Sequence, residues 1–66
     1  MSPQLLRTMR RMEGHHVSVR LEDGSRLDCE LVSSARRGAA TVWLQDARGD
    51  DLFVPVSAIA DVRDLG

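Results

Sequence analysis

The side chains with chemistry to offer in this sequence are few: adjacent His15 and His16, one cysteine, two aspartate clusters, nine arginines without a single lysine, and two aromatics. His15 and His16 follow Gly14 and could titrate near neutrality or ligate a metal. Neighbouring residues entering a strand point to opposite faces, so the pair cannot readily share one ion. No CxxC or HxxxH spacing supports a site, and an exposed helix–strand junction is the expectation. Cys29 would need a nearby base and a depressed pKa to act as a nucleophile. It lies between Leu27 and Leu31 on an apolar face, which predicts a core thiol. Asp50-Asp51 and Asp61 with Asp64 could serve as carboxylate pairs. Nothing apolar encloses the first pair and no catalytic motif surrounds either, so solvated positions are expected. There is no phosphate-binding glycine loop and no nucleophile elbow. The reading is a protein that is not an enzyme and carries no metal and no cofactor.

Trp43 and Phe53 are the most informative residues. Each falls opposite the aliphatic row of its segment: Val42 and Leu44 flank the first, Leu52 and Val54 the second. If the aliphatic rows fill a core, the two rings point outward as cross-strand neighbours. Three roles stay open for them: a protein or oligomer interface together with Val54, Pro55 and Val56, a base-stacking platform, or packing within the chain under a lid of Leu5, Met9 and Met12. Arg7, Arg10 and Arg11, with Arg36 and Arg37, are the candidate contacts for RNA or an acidic partner. Arginine forks toward phosphate and carboxylate and is always charged. The net charge is only −1. Residues 1–16 carry three arginines and one acid, residues 17–45 four of each, and residues 46–66 two arginines and five acids. A nonspecific nucleic-acid binder would be strongly basic, so any such site here is local.

The elements that must position these groups are legible from periodicity. Residues 2–13 read as a helix, with Ser2 as N-cap and Pro3 at the first helical position. Leu5, Met9 and Met12 form its apolar stripe, Arg7, Arg10 and Arg11 the opposite face, and Gly14 its left-handed stop. The period then changes to two. Val17, Val19 and Leu21 alternate with polar residues, Asp23-Gly24 signals a tight turn, and Leu27, Cys29 and Leu31 alternate again, making an antiparallel hairpin. Ser33 and Ser34 break the pattern and suggest a bulge. A loop at Arg36-Arg37-Gly38 leads to a third strand at 40–45. Asp46 to Asp50 is a polar loop, Leu52 to Val56 a fourth strand with Pro55 suited to an edge, Ser57-Ala58-Ile59 one tight turn, and 60–64 a last strand.

Sixty-six residues make one small domain, here 1–66 with a helical cap and a barrel over 15–65. With 42% hydrophobic and 29% charged residues the chain is globular rather than disordered. A domain this small buries only about 60% of its extended surface, so a partner or oligomer is a natural source of further stability. No apolar run is long enough to span a bilayer, and no signal-peptide core is visible. A lone cysteine excludes an intrachain disulfide, and a cytoplasmic protein is expected. Five short, strongly bent strands in about 50 residues are too few for a sandwich, but they can form a small barrel with the helix over one open end.

This order resembles the Sm-like family of small β-barrels. The similarity is carried by Val17-Ser18-Val19-Arg20-Leu21-Glu22-Asp23-Gly24 with Leu27-Asp28-Cys29-Glu30-Leu31, and by the strand–turn–strand finish from Phe53 to Val62. Rho-binding antitermination proteins, of the Src-homology-3 type, are similar in topology. The resemblance implies subunits that pair their fourth and fifth strands into homo-oligomeric rings, some of which bind RNA. The family's RNA-contacting residues lack clear counterparts between Ser33 and Val42, and Pro55-Val56-Ser57 replaces its second RNA loop. The expectation is therefore a non-catalytic module for protein–protein interaction and self-assembly, of a small regulatory or phage-type accessory kind. RNA binding on a ring, or binding to a transcription termination factor, is the alternative.

Overall fold

A computed structural model of the chain describes residues 3–35 and 40–65. One helix, α1 (Pro3–Arg11), precedes five strands: β1 (His16–Leu21), β2 (Arg26–Ser33), β3 (Thr41–Gln45), β4 (Asp51–Pro55) and β5 (Ile59–Asp64). The strands make one antiparallel sheet in the order β4-β3-β2-β1-β5. The fold is mainly β, as expected, with a strongly bent sheet. It does not close: β4 and β5 are its two edges, and no described strand pairs on the far side of either.

The helix is shorter than its apolar periodicity implies. It ends at Arg11, and Met12 to Gly14 form a turn in which His15 N–H donates to Met12 C=O at 2.8 Å. Gly14 takes φ 85° there, a left-handed conformation that a Cβ would oppose. Met12 thus packs on the core from a turn. The proposed N-cap, Ser2, lies outside the described residues.

The core is the inner face of the sheet under the helix. Met9, Val17, Val19, Leu31, Val42 and Leu44 are fully buried, joined by Cys29, Ala35, Ile59 and Val62. Burying each such aliphatic side chain contributes roughly 1.5–3 kcal/mol. The two hairpins put the alternating rows in register, Val17 facing Cys29 and Val42 facing Val54. The break expected at Ser33-Ser34 is a register shift between Leu31 and Ser33 where β2 passes to β3. There Glu13 Oε2 accepts hydrogen bonds from the N–H and the hydroxyl of Ser34, both at 2.8 Å, and ties the end of the helical turn to the end of β2. Ser34 is buried, so this carboxylate removes two polar groups that would otherwise lack partners.

The expected turn at 57–59 is a 3-10 turn at Val56–Ala58, and Ile59 opens β5. The shift goes with Ile59, which belongs to the buried row and enters the core as the first residue of β5 rather than the last of the turn. Arg36 and Arg37 lie outside the described residues.

Candidate interaction edges

The β3–β4 hairpin sets Trp43 directly opposite Phe53. Their rings stack with centroids 5.8 Å apart and planes 24° apart. Both face away from the core and stay open: Trp43 is 38% exposed and Phe53 64%. Neither helix nor loop covers them among the described residues. Met9, from the lid imagined over these rings, is instead buried in the core on the opposite side of the sheet. The tryptophan is held in place by Asp51, whose Oδ1 accepts the indole N–H at 3.0 Å and the Gln45 amide at 3.4 Å. Pro55 shares this outer face. Val54 does not: it and Val56 are half-buried and pack against the core.

The backbone bonds give each edge a polarity. Val56 N–H donates to Ala40 C=O at 2.8 Å, and Asp46 N–H to Asp50 C=O at 3.0 Å. In an antiparallel ladder, bonded and non-bonded residue pairs alternate. Counting from both ends of the register, Val42–Val54 and Leu44–Leu52 are the bonded pairs. Thr41–Pro55, Trp43–Phe53 and Gln45–Asp51 are the non-bonded ones, the closer type for side chains, which suits the ring stack. The N–H and C=O of Asp51 and Phe53 therefore point to the open side of β4. Pro55 occupies the next such position, so its missing donor takes nothing from the β3–β4 ladder.

At the other edge, Leu65 N–H donates to His16 C=O at 2.9 Å. The same counting makes Ser18–Arg63 and Arg20–Asp61 the bonded pairs with β1. Val62 therefore turns its N–H and C=O to the open side of β5. The difference between the edges is chemical: β4 offers backbone at a residue whose side chain lies outside, Phe53, and β5 at one whose side chain lies inside, Val62. Beside β5, between it and α1, an open cleft of about 420 Å³ is lined by Gln4, Leu5, Thr8, Glu22, Ile59, Ala60 and Asp61.

The remaining candidates resolve individually. Cys29 is buried, and burial, with the carboxylates of Asp28 and Asp46 adding to it, pushes its thiol up and away from the thiolate form. His15 and His16 are both exposed. His15 Nδ1 sits 2.9 Å from Asp64 Oδ2 and so joins the start of β1 to the end of β5. Among the described residues no group of three or more His, Cys, Asp or Glu side chains could hold a metal ion. No helix among them is long and apolar enough to cross a membrane. Arg7, Arg10 and Arg11 are all exposed on α1.

Asp51 is the residue that pattern reading undervalued: it counted as half of a carboxylate pair, yet it positions the indole. The signal was present in its place opposite Gln45 in the hairpin, two residues from Phe53. The cleft had no such signal, because it joins residues some 55 positions apart in sequence, such as Leu5 and Ala60. Comparison with family models, with curated proteins and with solved structures finds no match.

Proposed function

We propose that this chain is a non-catalytic binding module that acts by protein–protein contact and self-assembly, as a small regulatory or accessory protein of the cytoplasm. The observation that carries the reading is a pair of strand edges to which no described strand is paired, with an exposed tryptophan–phenylalanine stack beside one of them. Uncovered edges invite a further strand, and exposed aromatics are favoured anchors of interfaces. The resemblance to Sm-like barrels, whose subunits join through strands four and five, agrees with this reading. Pairing the two unlike edges is heterologous, so repeated pairing closes a ring or runs on as a filament.

RNA is the weaker partner. The aromatic stack is flanked by Asp51, with Asp46 and Asp50 in the adjoining loop, and carboxylates repel phosphate. The exposed helix arginines are the RNA reading's main support. Light scattering at high micromolar concentration tests self-assembly: a mass several times 7.3 kDa is expected. A strict monomer would remove the assembly reading.

A further inference from the structure

Two surfaces of the molecule carry unbalanced charge of opposite sign. On α1, Arg7 and Arg11 stand two residues either side of the fully buried Met9, which puts both on the far side of the helix from the core. With Arg10 they make three exposed arginines on an element that has no acid. Among the described residues no carboxylate forms an ion pair with any of the three. The β3–β4 hairpin instead carries Asp46, Asp50 and Asp51 against Arg48 alone, beside the exposed Trp43–Phe53 stack. We propose that these two surfaces bind each other between copies. The arginine face of α1 in one molecule lies along the outer face of β4 in the next, with one guanidinium stacked on the two rings and another on Asp51. This rests on the self-assembly reading and gives it a contact made by side chains rather than by strand edges.

The chemistry of the platform selects its occupant. Aromatic faces attract a cation, indole most strongly. Asp51 accepts the indole N–H at 3.0 Å and the Gln45 amide at 3.4 Å through one oxygen, Oδ1. Its Oδ2 takes no hydrogen bond among the described residues, and an ionised carboxylate has sites for about four. An anionic partner is repelled by the aspartates. An uncharged apolar one would take Asp51 out of water with no cation to meet it, which is a costly burial. The occupant is therefore cationic and flat enough to lie on a ring, which describes a guanidinium rather than an ammonium. All nine basic side chains outside the two histidines are arginines. Arg63 is already 3.5 Å from Asp61, and Arg20 faces Asp61 across the β1–β5 ladder. The three on α1 stand together without such a partner.

Spacing agrees with this contact. Arg7 and Arg11 are one turn apart, about 6 Å along the helix. Phe53 and Asp51 are two residues apart on β4, about 7 Å along the strand. A helix laid along β4 sets one arginine over the stack while the other reaches Asp51. Met9 in the core fixes α1 with Arg7 and Arg11 turned away from the sheet, and the rings face away from that core. A molecule therefore cannot bring its own arginines to its own rings. The contact is heterologous, and a chain of copies joined by it keeps one surface of each kind open at its ends unless it closes into a ring.

Association through this contact should weaken as salt rises. The test exchanges charge. Arg7→Glu with Arg11→Glu reverses the helix face, and Asp50→Arg with Asp51→Arg reverses the hairpin. All four positions are exposed, and far-ultraviolet dichroism and melting confirm that each variant folds. Each variant alone should associate roughly thirtyfold more weakly than the parent, or worse. An equal mixture should regain association, because every helix then meets a hairpin of opposite charge. Phe53→Ala keeps the charge and removes one ring. Arg7→Lys with Arg11→Lys keeps the charge and removes the planar group. Each should lose association by roughly fivefold or more. Trp43, the sole tryptophan, should shift its emission to the blue as the parent is concentrated, and should not do so in the helix-reversed variant. If the parent associates and either reversed variant associates equally well, or the mixture stays monomeric, the helix-on-ring contact is wrong while self-assembly stands. A lysine variant equal to the parent overturns the stacked guanidinium. If the parent is itself a strict monomer at high micromolar concentration, self-assembly fails and this contact with it.

Discussion

The two hairpins of this sheet use the same construction to different ends. Each closes on a loop opened by an aspartate and bent by a left-handed glycine. In the first, Asp23 Oδ1 accepts from Ser25 N–H at 2.8 Å and Ser25 hydroxyl at 2.6 Å, with Gly24 at φ 90°. In the second, Asp46 Oδ1 accepts from Arg48 N–H at 2.9 Å and Asp50 N–H at 3.0 Å, with Gly49 at φ 86°. Their inner rows merge into one core. Their outer rows share nothing. On β1–β2 the facing pairs are His16 with Glu30, Ser18 with Asp28 and Arg20 with Arg26. On β3–β4 they are Gln45 with Asp51, Trp43 with Phe53 and Thr41 with Pro55. The inner rows build the core, while the outer row of the edge hairpin leaves two stacked aromatics exposed.

The largest effect should come from the shared row, where the hairpins are alike. Leu31→Ala and Leu44→Ala, one in β2 and one in β3, each remove a fully buried side chain. Each should cost about 2–5 kcal/mol, a large part of the stability of a domain this size. Leu52→Ala, in half-buried β4, should cost less when the protein is dilute. If assembly covers β4, that cost grows with protein concentration, and chemical denaturation at two concentrations reads the difference.

The outer rows are where the hairpins should part. Trp43→Ala should weaken association by about 2–4 kcal/mol and lower the melting temperature little in dilute protein. Arg26→Ala, at the equivalent outer position of β2, should change neither beyond about 0.5 kcal/mol. Gel filtration beside thermal melts at fixed concentration separates the two quantities. A large melting loss for Trp43→Ala with association unchanged would make the ring stack a part of the folding core.

The turns offer a smaller and symmetrical test. Gly24→Ala and Gly49→Ala force a Cβ into left-handed backbone, although neither Cβ would meet a neighbour within 4 Å. Each should cost roughly 1–2 kcal/mol from conformation alone. Unequal losses beyond that range would mean that one loop relaxes its φ and the other cannot.

Much of this architecture was readable because it is local. Alternation gave every strand to within a residue or two, Asp23-Gly24 gave its turn, and the outward placement of Trp43 and Phe53 followed from Val42, Leu44, Leu52 and Val54 beside them. What escaped was set by contacts between distant positions. Helix periodicity through Met12 could not reveal that Glu13 reaches across to Ser34 and that the chain turns before it. The helix followed by a strongly bent five-stranded antiparallel sheet was legible from the strand pattern. Whether β4 meets β5 depends on the sheet's total curvature, and no short stretch of sequence encodes that. The cleft and the edge polarity belong to the same class, since both require the full register to be known.

The smallest effect expected here is a pH effect confined to the first turn. Asp23 is held below its ordinary value of 3.8 by the Ser25 hydroxyl first and the Ser25 N–H second. A carboxylate lowered in the folded state binds fewer protons there than in the unfolded chain, so its contribution is complete above the unfolded value and is lost as pH falls through the folded one. Ser25→Ala removes the leading donor and lets Asp23 return toward 3.8. Because the turn is exposed, the difference should be slight: wild type should be a little more stable than Ser25→Ala near pH 6, and the two should converge as the solution approaches about pH 2. Urea denaturation across that range measures it. An offset that persists unchanged in acid would mean that the Ser25 hydroxyl supports the turn without Asp23's charge, and the two hairpin loops would then differ in mechanism as well as in sequence.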